Sequence, residues 1–135
     1  MSRIPNAKIQ VRFADCDAME HVNNAVYLSY FEMARMHYFH FIVGDEWDWK
    51  ENGIILVKNE VTYIKPVLLR DQPEINVLLS KIGRTSFELL YELHVKGELY
   101  TTGSSKLVCF DFLTQQTVPV YDEMLKGFSK LQTNE

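Results

Sequence analysis

Cysteine and net positive charge are both scarce in this sequence, and each shortage excludes a class of protein. The two cysteines, Cys16 and Cys109, lie far apart and match no metal-ligand spacing, so we expect reduced thiols in a cytoplasmic protein. The formal net charge is -4, with a pI near 5.6, whereas nucleic-acid binding requires a broad basic surface. We therefore expect no nucleic acid among the partners, although a few local cations can still bind a small anion.

Long apolar runs and the usual metal or phosphate motifs are also missing. No segment approaches the roughly 20 apolar residues of a membrane span, and the first ten residues, MSRIPNAKIQ, lack the apolar core of a signal peptide. The sequence contains neither a Walker-type loop nor a G-x-G-x-x-G motif. Its four histidines suggest no metal cluster, because the His37–His40 pair has no matching acids nearby. We expect a soluble protein with no membrane span, no metal and no cofactor.

The sequence does contain enough apolar side chains for one core. Hydrophobic residues make up 47% of the 135 residues, which fits a single domain over residues 1–135. From Asn24 onwards apolar residues recur at helical spacing and cover nearly every face, which predicts one long, buried helix. Asn23 is predicted to be its N-cap, and Gly44 is predicted to end it.

Most of the remaining chain is predicted to be strand. Alternating or β-branched segments indicate strands at residues 8–13, 53–65, 74–82, 85–96 and 99–112, and a last amphipathic helix at residues 120–131. The short turn near Gly97 predicts a β-hairpin, so the sheet is expected to be antiparallel there. The order of elements predicts an α+β fold in which the sheet curls around the helix. One helix cannot cover a wide sheet, so we expect the chain to dimerise.

The segment D-C-D-A-M-E-H-V-N-N-A-V-Y-L-S-Y-F-E-M-A-R, which begins at Asp15, resembles the signature of hot-dog-fold thioesterases of the 4-hydroxybenzoyl-CoA thioesterase type. Two further segments, Y-I-K-P-V-L-L-R-D (63–71) and K-I-G-R-T-S-F (81–87), resemble that family's second strand and next strand junction. The resemblance extends over nearly the whole chain. It implies a hot-dog fold, in which a five-stranded antiparallel sheet wraps around one long central helix.

The same resemblance implies a function and an assembly. It implies homodimers, often paired into homotetramers, with active sites between subunits. It implies hydrolysis of an acyl thioester of coenzyme A or of an acyl carrier protein, with coenzyme A as part of the substrate. Matched by position, Asp17 is the catalytic carboxylate, Asn24 provides a backbone N–H for the thioester carbonyl, and Arg84 and Ser86 contact the nucleotide end of coenzyme A.

Thioester hydrolysis needs a group that stabilises negative charge on the carbonyl oxygen, and it needs a nucleophile. Free N–H groups at a helix start can provide the first, and the turn from His21 to Asn24 lies where they are expected. Asp17 can provide the second, either by attacking the thioester or by deprotonating a water molecule. His21 can position that water, orient a carboxylate or contact the acyl group, or it can simply fix the loop. Asp15 is expected to be a structural acid that holds the loop or a basic neighbour.

Coenzyme A carries phosphates, so an acidic protein needs well-placed cations to bind it. Arg84, Lys81 and Lys58 are candidate cations, and Ser86 is a candidate hydrogen-bond donor. Tyr63 is predicted either to reach the site from its strand or to pack within the sheet.

Two other features leave alternatives open. Glu32 and Arg35 are three residues apart, so they can pair on the helix surface, or face a subunit boundary or polar pocket if the helix is buried. Glu20 stands where many relatives have glycine, and Met19 stands where plant acyl-carrier-protein thioesterases have asparagine. These departures leave the shape of the loop and the class of substrate open.

Two alternative functions use the same scaffold, because a fold does not determine a function. The first is a dehydratase or hydratase acting on a β-hydroxyacyl thioester, with His21 as the catalytic group. The second is a non-catalytic protein that binds acyl thioesters, in which Glu20 makes the loop unproductive. The order D-x-D-x-x-x-H-V-N-N favours hydrolysis.

Overall fold

The structure is a computed structural model that describes residues 4–133. The elements within these residues are β1 (Ala7–Lys8), α1 (Val26–Val43), β2 (Gly53–Tyr63), β3 (Glu74–Ile82), β4 (Ser86–Val95), β5 (Glu98–Asp111), β6 (Gln116–Thr117), α2 (Asp122–Gly127) and β7 (Gln132–Thr133).

Five of the strands form the main sheet, in the order β1-β3-β4-β5-β2, and all of its neighbouring strands are antiparallel. The short strands β6 and β7 pair with β5 and β3 respectively. Along β4 buried and partly exposed residues alternate without a break, as expected for a strand with one face on the core. The predicted α+β architecture, an antiparallel sheet curled around one long helix, is confirmed.

The helix α1 packs closely against the middle of the sheet. The ring of Phe31 stacks on the ring of Tyr91 in β4, with centroids 4.5 Å apart. A Cβ atom at position 103 in β5 would lie 2.5 Å from the Phe31 ring, so only glycine fits there. These contacts fix α1 across β4 and β5, and they leave β2 at the edge of the sheet.

Both ends of the chain differ from the predicted elements. The predicted strand 8–13 is wrong beyond Lys8, because residues Phe13–Asp15 form a 3₁₀ turn that the Asp15 carboxylate closes by accepting the backbone N–H of Arg12. The predicted helix 120–131 is shorter, because α2 ends at Gly127 and a 3₁₀ turn, Phe128–Lys130, follows it. The predicted end of α1 is confirmed, since Gly44 adopts φ 83° directly after Val43.

The prediction that α1 is buried on nearly every side is wrong for a single chain. Four apolar side chains on this helix are 37–51% exposed, namely Leu28, Met33, Met36 and Phe41. The sheet covers only one side of a helix, so the opposite side keeps its apolar residues in contact with solvent. An exposed apolar stripe of this kind is typical of an interaction surface.

Candidate active site

A pocket of about 390 Å³ opens at the start of α1. Its lining includes Asp17, His21, Asn24, Tyr27 and Tyr63, so four of the predicted site residues lie together. They come from three parts of the chain, which are the loop before α1, the start of α1 and the end of β2. The catalytic and binding roles of these residues stay predictions.

Asp17 lies in a short loop, residues 16–22, which we call the Asp17 loop. Its two ends pair with each other through an antiparallel bridge between Cys16 and Val22. The Oδ1 atom of Asp17 accepts the backbone N–H groups of Met19 at 2.9 Å and His21 at 3.1 Å. The side chain is exposed, so Oδ2, which accepts no hydrogen bond within residues 4–133, remains accessible.

The Asp17 loop is held in place by the segment that follows β2. The backbone N–H of Val22 donates to the carbonyl of Val67 at 2.8 Å, and the N–H of Leu69 donates to the carbonyl of Glu20 at 3.1 Å. Glu20 has φ 61°, in the left-handed region that glycine adopts without cost. The loop therefore keeps a conformation suited to glycine although glutamate stands there, and the Glu20 side chain points into solvent.

The start of α1 presents an unpaired main-chain donor, the N–H of Asn24, at the pocket. The backbone N–H of Asn24 donates to no acceptor within residues 4–133, whereas the N–H groups of Asn23, Ala25 and Val26 are all bonded. The hydroxyl of Tyr63 donates to the carbonyl oxygen of Asn24 at 2.7 Å, which fixes the orientation of that residue. A free N–H at a helix start can bind a carbonyl oxygen that gains negative charge.

The predicted N-cap is wrong by two residues. The helix begins at Val26, and Ala25 occupies the N-cap position without a side-chain hydrogen bond. The Oδ1 atom of Asn23 accepts the N–H of Ala25 at 2.9 Å, so Asn23 closes the turn that precedes the helix.

Asp15 has the structural role that was predicted for it. Its carboxylate is only 2% exposed, and it accepts hydrogen bonds from the Tyr30 hydroxyl at 2.7 Å and from the Arg12 main chain and side chain at 2.9–3.1 Å. Burial by itself raises the pKa of Asp15, but these hydrogen bonds outweigh it and hold the pKa below its usual value. Because the Asp15 carbonyl also accepts the N–H of Asn23, this cluster anchors both ends of the Asp17 loop.

Lys65 also lines the pocket, and sequence reasoning did not select it. Its Nζ atom lies 2.8 Å from a carboxylate oxygen of Glu98 and 5.3 Å from the ring centroid of Tyr100. The signal was available in the motif Y-I-K-P, because Lys65 follows Tyr63 by two residues at the end of β2. Cys16 lies in the Asp17 loop but is a poor candidate for a nucleophile. Burial and the nearby acids raise the pKa of its thiol, which disfavours the reactive thiolate form.

Residues 11–128 match the family described as the thioesterase-like superfamily. The chain belongs to this superfamily. The predicted hot-dog fold and the predicted thioester hydrolase class are therefore both confirmed.

Known thioesterases resemble the chain over nearly its whole length. It is 28% identical over 127 residues to the long-chain acyl-CoA thioesterase FadM of Escherichia coli (strain K12). The aligned region covers 92% of this chain and 96% of that protein. It is 33% identical to a thioesterase from Thermus thermophilus solved with coenzyme A and Zn, with a TM-score of 0.80 and coverage of 91% and 95%. A DHNA-CoA thioesterase from Staphylococcus aureus shares the fold, with 23% identity, a TM-score of 0.81 and coverage of 93% and 88%.

The predicted coenzyme A contacts lie outside the pocket of a single chain. Lys81, Arg84 and Ser86 lie at the turn between β3 and β4, and none of them lines the pocket. Lys58 is on the edge strand β2, where its Nζ atom lies 3.1 Å from a carboxylate oxygen of Glu60. The coenzyme A contacts of these four residues therefore stay predictions, since the pocket of a single chain includes none of them.

The predicted surface pair between Glu32 and Arg35 is wrong for a single chain. Arg35 is 6% exposed, and its Nη1 atom donates to the hydroxyls of Tyr91 at 3.1 Å and Ser105 at 3.4 Å. The alternative expectation, a polar pocket, applies to Arg35, because its side chain turns towards the sheet. Glu32 is exposed and forms no ion pair within residues 4–133.

Two kinds of feature are not found in the part of the chain that the structure describes. Among residues 4–133, no three His, Cys, Asp or Glu side chains are grouped so that they could hold a metal ion. No helix in the same residues is both long enough and apolar enough to span a bilayer.

Proposed function

We propose that the chain hydrolyses an acyl thioester of coenzyme A to the free acid and coenzyme A. One observation carries this proposal, namely that the Asp17 carboxylate and the unpaired N–H of Asn24 line the same pocket. The relatives support coenzyme A over an acyl carrier protein, since FadM is named for acyl-CoA and the Thermus thioesterase was solved with coenzyme A. Coenzyme A enters as part of the substrate, and the reaction uses no cofactor.

The two halves of the site have separate tasks in the proposed reaction. The Asn24 N–H donates to the thioester carbonyl, whose oxygen becomes negative as the carbonyl carbon is attacked. Asp17 either takes a proton from water, whose oxygen then attacks, or attacks with Oδ2 to form an anhydride that water cleaves. In both routes the C–S bond breaks and the coenzyme A thiolate takes up a proton. The His21 ring, which forms no hydrogen bond within residues 4–133, is available to position the water.

The substrate is proposed to reach beyond the pocket of one chain. Its nucleotide end would contact Arg84 and Ser86, with Lys81 and Lys58 as further cations near the phosphates. This arrangement requires a second subunit, and β2 offers the surface for one. Within residues 4–133, β2 pairs only with β5, so its other edge has free N–H and C=O groups next to the exposed Val57 side chain. We propose a homodimer through β2 and α1 that pairs into a homotetramer.

A cytoplasmic location completes the proposal. Both cysteines are free, and Cys109 is buried, as expected for a protein kept in a reducing compartment.

A panel of substrates tests the proposed reaction. The purified protein is incubated with short, long and aromatic acyl-CoAs, and free thiol is followed with a thiol reagent. We expect thiol release with at least one acyl class. Hydration of an enoyl-CoA without thiol release would instead indicate the dehydratase, for which the free His21 ring is the favourable observation. Binding without turnover would indicate the non-catalytic protein.

Tyr63 is proposed to position the Asn24 N–H without contacting the reacting atoms. The substitution Tyr63→Phe removes only the hydroxyl that holds the Asn24 carbonyl, and it keeps the ring, which meets the Tyr27 ring at 5.0 Å. Because a neutral hydrogen bond contributes about 0.5–1.5 kcal/mol, we expect kcat to fall about two- to tenfold with KM nearly unchanged. Steady-state kinetics of thiol release measure both constants.

Tyr121→Phe is the matched control for this prediction. The Tyr121 hydroxyl also donates to a main-chain carbonyl, that of Gly53, at 2.9 Å, but it does so away from the pocket. Its loss should leave kcat unchanged. A rise in KM alone in Tyr63→Phe would show that Tyr63 binds substrate directly, and this result would contradict the positioning role.

A further inference from the structure

One buried side chain connects the two halves of the pocket. Tyr27 lies in the first turn of α1, three residues after Asn24, and it is only 1% exposed although it lines the pocket. Its hydroxyl accepts the backbone N–H of Val67 at 3.1 Å. Val67 is fully buried in the segment that follows β2, so this hydrogen bond ties the start of the helix to a distant part of the chain.

The segment around Val67 also holds the Asp17 loop. The carbonyl of Val67 accepts the N–H of Val22 at 2.8 Å, and the N–H of Leu69 donates to the carbonyl of Glu20 at 3.1 Å. Val22 and Glu20 both belong to the loop, so the second half of the loop is fixed to this segment. Val67 therefore donates its N–H to the helix side chain and offers its carbonyl to the loop, and its position determines how far apart the two lie.

The ring of Tyr27 acts on the other half of the pocket. It meets the ring of Tyr63 edge-on, with the centroids 5.0 Å apart and the planes at 82°. The hydroxyl of Tyr63 in turn donates to the carbonyl of Asn24 at 2.7 Å. Tyr27 thus supports the main-chain donor through its ring and the Asp17 loop through its hydroxyl. Because the two contacts use different atoms, removal of the hydroxyl tests the second contact by itself.

We propose that the Tyr27 hydroxyl positions the Asp17 carboxylate against the Asn24 N–H, without contacting the reacting atoms itself. This role rests on the proposed reaction. A neutral tyrosine hydroxyl has lone pairs with which it can accept an N–H, and burial keeps it neutral by raising the pKa of Tyr27. Without the hydroxyl, the buried N–H of Val67 has no acceptor within residues 4–133, which is costly enough to move the segment or admit water. The Asp17 loop then moves with the segment.

Tyr27→Phe tests this role, because it removes the hydroxyl and keeps the ring. A misplacement of about 1 Å can cost about 10²-fold in rate, so we expect kcat for thiol release to fall about 10- to 100-fold with KM nearly unchanged. Tyr38→Phe is the matched control. Tyr38 lies on the same helix and is also 1% exposed, and its hydroxyl donates to Oδ1 of Asn76 at 3.2 Å, away from the pocket. This variant should keep the kcat of the unmodified protein.

A second set of variants separates positioning from a general loss of folded enzyme. If Tyr27 acts through the carboxylate, Tyr27→Phe should change kcat by less than about twofold when Asp17→Asn is already present. Tyr63→Phe acts at Asn24 instead, so it should lower kcat by the same factor with and without Asp17→Asn. A general loss of folded protein would make Tyr27→Phe lower kcat by an equal factor in both backgrounds as well.

Amide hydrogen exchange, followed by NMR, tests the link without any turnover. In the unmodified protein the amides of Val67, Val22 and Leu69 should have similar protection, because they open as one unit. In Tyr27→Phe their exchange should accelerate at least about fivefold, whereas Tyr38→Phe should leave it unchanged. The comparison in the unmodified protein needs no variant, so it decides even if Tyr27→Phe does not fold.

The positioning role is overturned if Tyr27→Phe keeps the kcat of the unmodified protein, if KM alone rises, or if Tyr38→Phe lowers kcat equally. It is also overturned if the effect of Tyr27→Phe is as large with Asp17→Asn as without it, if the three amides differ widely in protection, or if their exchange is unchanged in Tyr27→Phe. The two proposals can fail separately. Absence of thiol release with every acyl-CoA rejects the proposed reaction, whereas the exchange result still shows whether Tyr27 holds the Asp17 loop.

Discussion

Asp17→Asn is expected to lower kcat for thiol release by about 10²–10⁴-fold, the range that a positioned acid–base group contributes. The asparagine oxygen can still accept the N–H groups of Met19 and His21, so the Asp17 loop keeps its hydrogen bonds. What is lost is the negative charge, and with it both the base and the nucleophile. Because the Asn24 N–H is untouched, substrate binding should persist, and KM should change little.

Asp48→Asn is the matched control for Asp17→Asn. Asp48 is likewise exposed, and its Oδ1 atom likewise accepts two main-chain N–H groups, from Lys50 at 3.0 Å and Glu51 at 3.2 Å. This variant should retain full activity. An Asp17→Asn enzyme that works at the normal rate, with circular dichroism and oligomer size unchanged, would exclude Asp17 as base and as nucleophile.

Asp15→Ala is expected to destabilise the fold by about 2–4 kcal/mol, since it removes a buried acceptor that three donor groups share. The Tyr30 hydroxyl and the Arg12 N–H lose their partner, and the Asp17 loop loses its anchor. Most of the cost comes from these hydrogen bonds, because the Arg12 side chain is 73% exposed and water weakens its ion pair. Thermal unfolding should show a drop of roughly 6–15 °C in Tm.

A double-mutant cycle with Tyr30→Phe checks the origin of this loss. If the Tyr30–Asp15 hydrogen bond carries a large share, the double variant should be less destabilised than the sum of the two single variants. If the losses of stability in the two single variants simply add in the double variant, the Tyr30–Asp15 hydrogen bond contributes little to the stability of the fold. Asp71→Ala, which removes the acceptor of a single main-chain N–H on an exposed loop, should lower the free energy of unfolding far less than Asp15→Ala does.

The same carboxylate gives stability a defined dependence on pH. The pKa of Asp15 in the folded chain lies below the ordinary value of 3.8, so the folded state favours the ionised form more than the unfolded chain does. This contribution is complete above about pH 5 and is lost as the pH falls below 3.8 through the folded pKa. Urea unfolding at pH 6 and at pH 3 should therefore give a difference between the unmodified chain and Asp15→Asn that shrinks at the lower pH.

Local patterns were sufficient for most of the fold. The alternation along β4 predicts a strand with one buried face, and the structure has that alternation from Ser86 to Val95. Glycine after an apolar helical run predicts the end of α1 at Gly44. Both signals operate over a few residues, so no distant contact can easily override them.

The start of α1 could not be predicted in the same way. Asn23 fits an N-cap by residue type, but its carbonyl, its backbone N–H and its side-chain oxygen are already bonded before the helix begins. Its carbonyl accepts the N–H of Val26, and its backbone N–H donates to the carbonyl of Asp15. Its side-chain Oδ1 accepts the N–H of Ala25. The Asp15 contact forms only after the whole loop has folded back. Residue preferences alone do not include that competition, so the predicted helix starts two residues too early.

The residues of one continuous motif were predicted to share a site, and Tyr63 was predicted as a candidate from its strand, but the contact that joins Tyr63 to this motif was not predicted. Asp17, His21 and Asn24 lie within eight consecutive residues, and they line one pocket. The Tyr63 contact with Asn24 joins residues 39 positions apart, which spacing along the chain cannot reveal. Lys65 could have been selected from the sequence, because it follows Tyr63 by two residues in the motif Y-I-K-P.

The two groups that we propose take part in the reaction differ in how easily evolution can remove them. The donor at position 24 belongs to the main chain, so every amino acid except proline retains it, whereas a single codon change at position 17 eliminates the carboxylate. A lineage that no longer needs turnover can thus become a carrier or sensor of thioesters in one mutational step. Its ability to recognise the carbonyl would survive, and a later reversion could restore the enzyme.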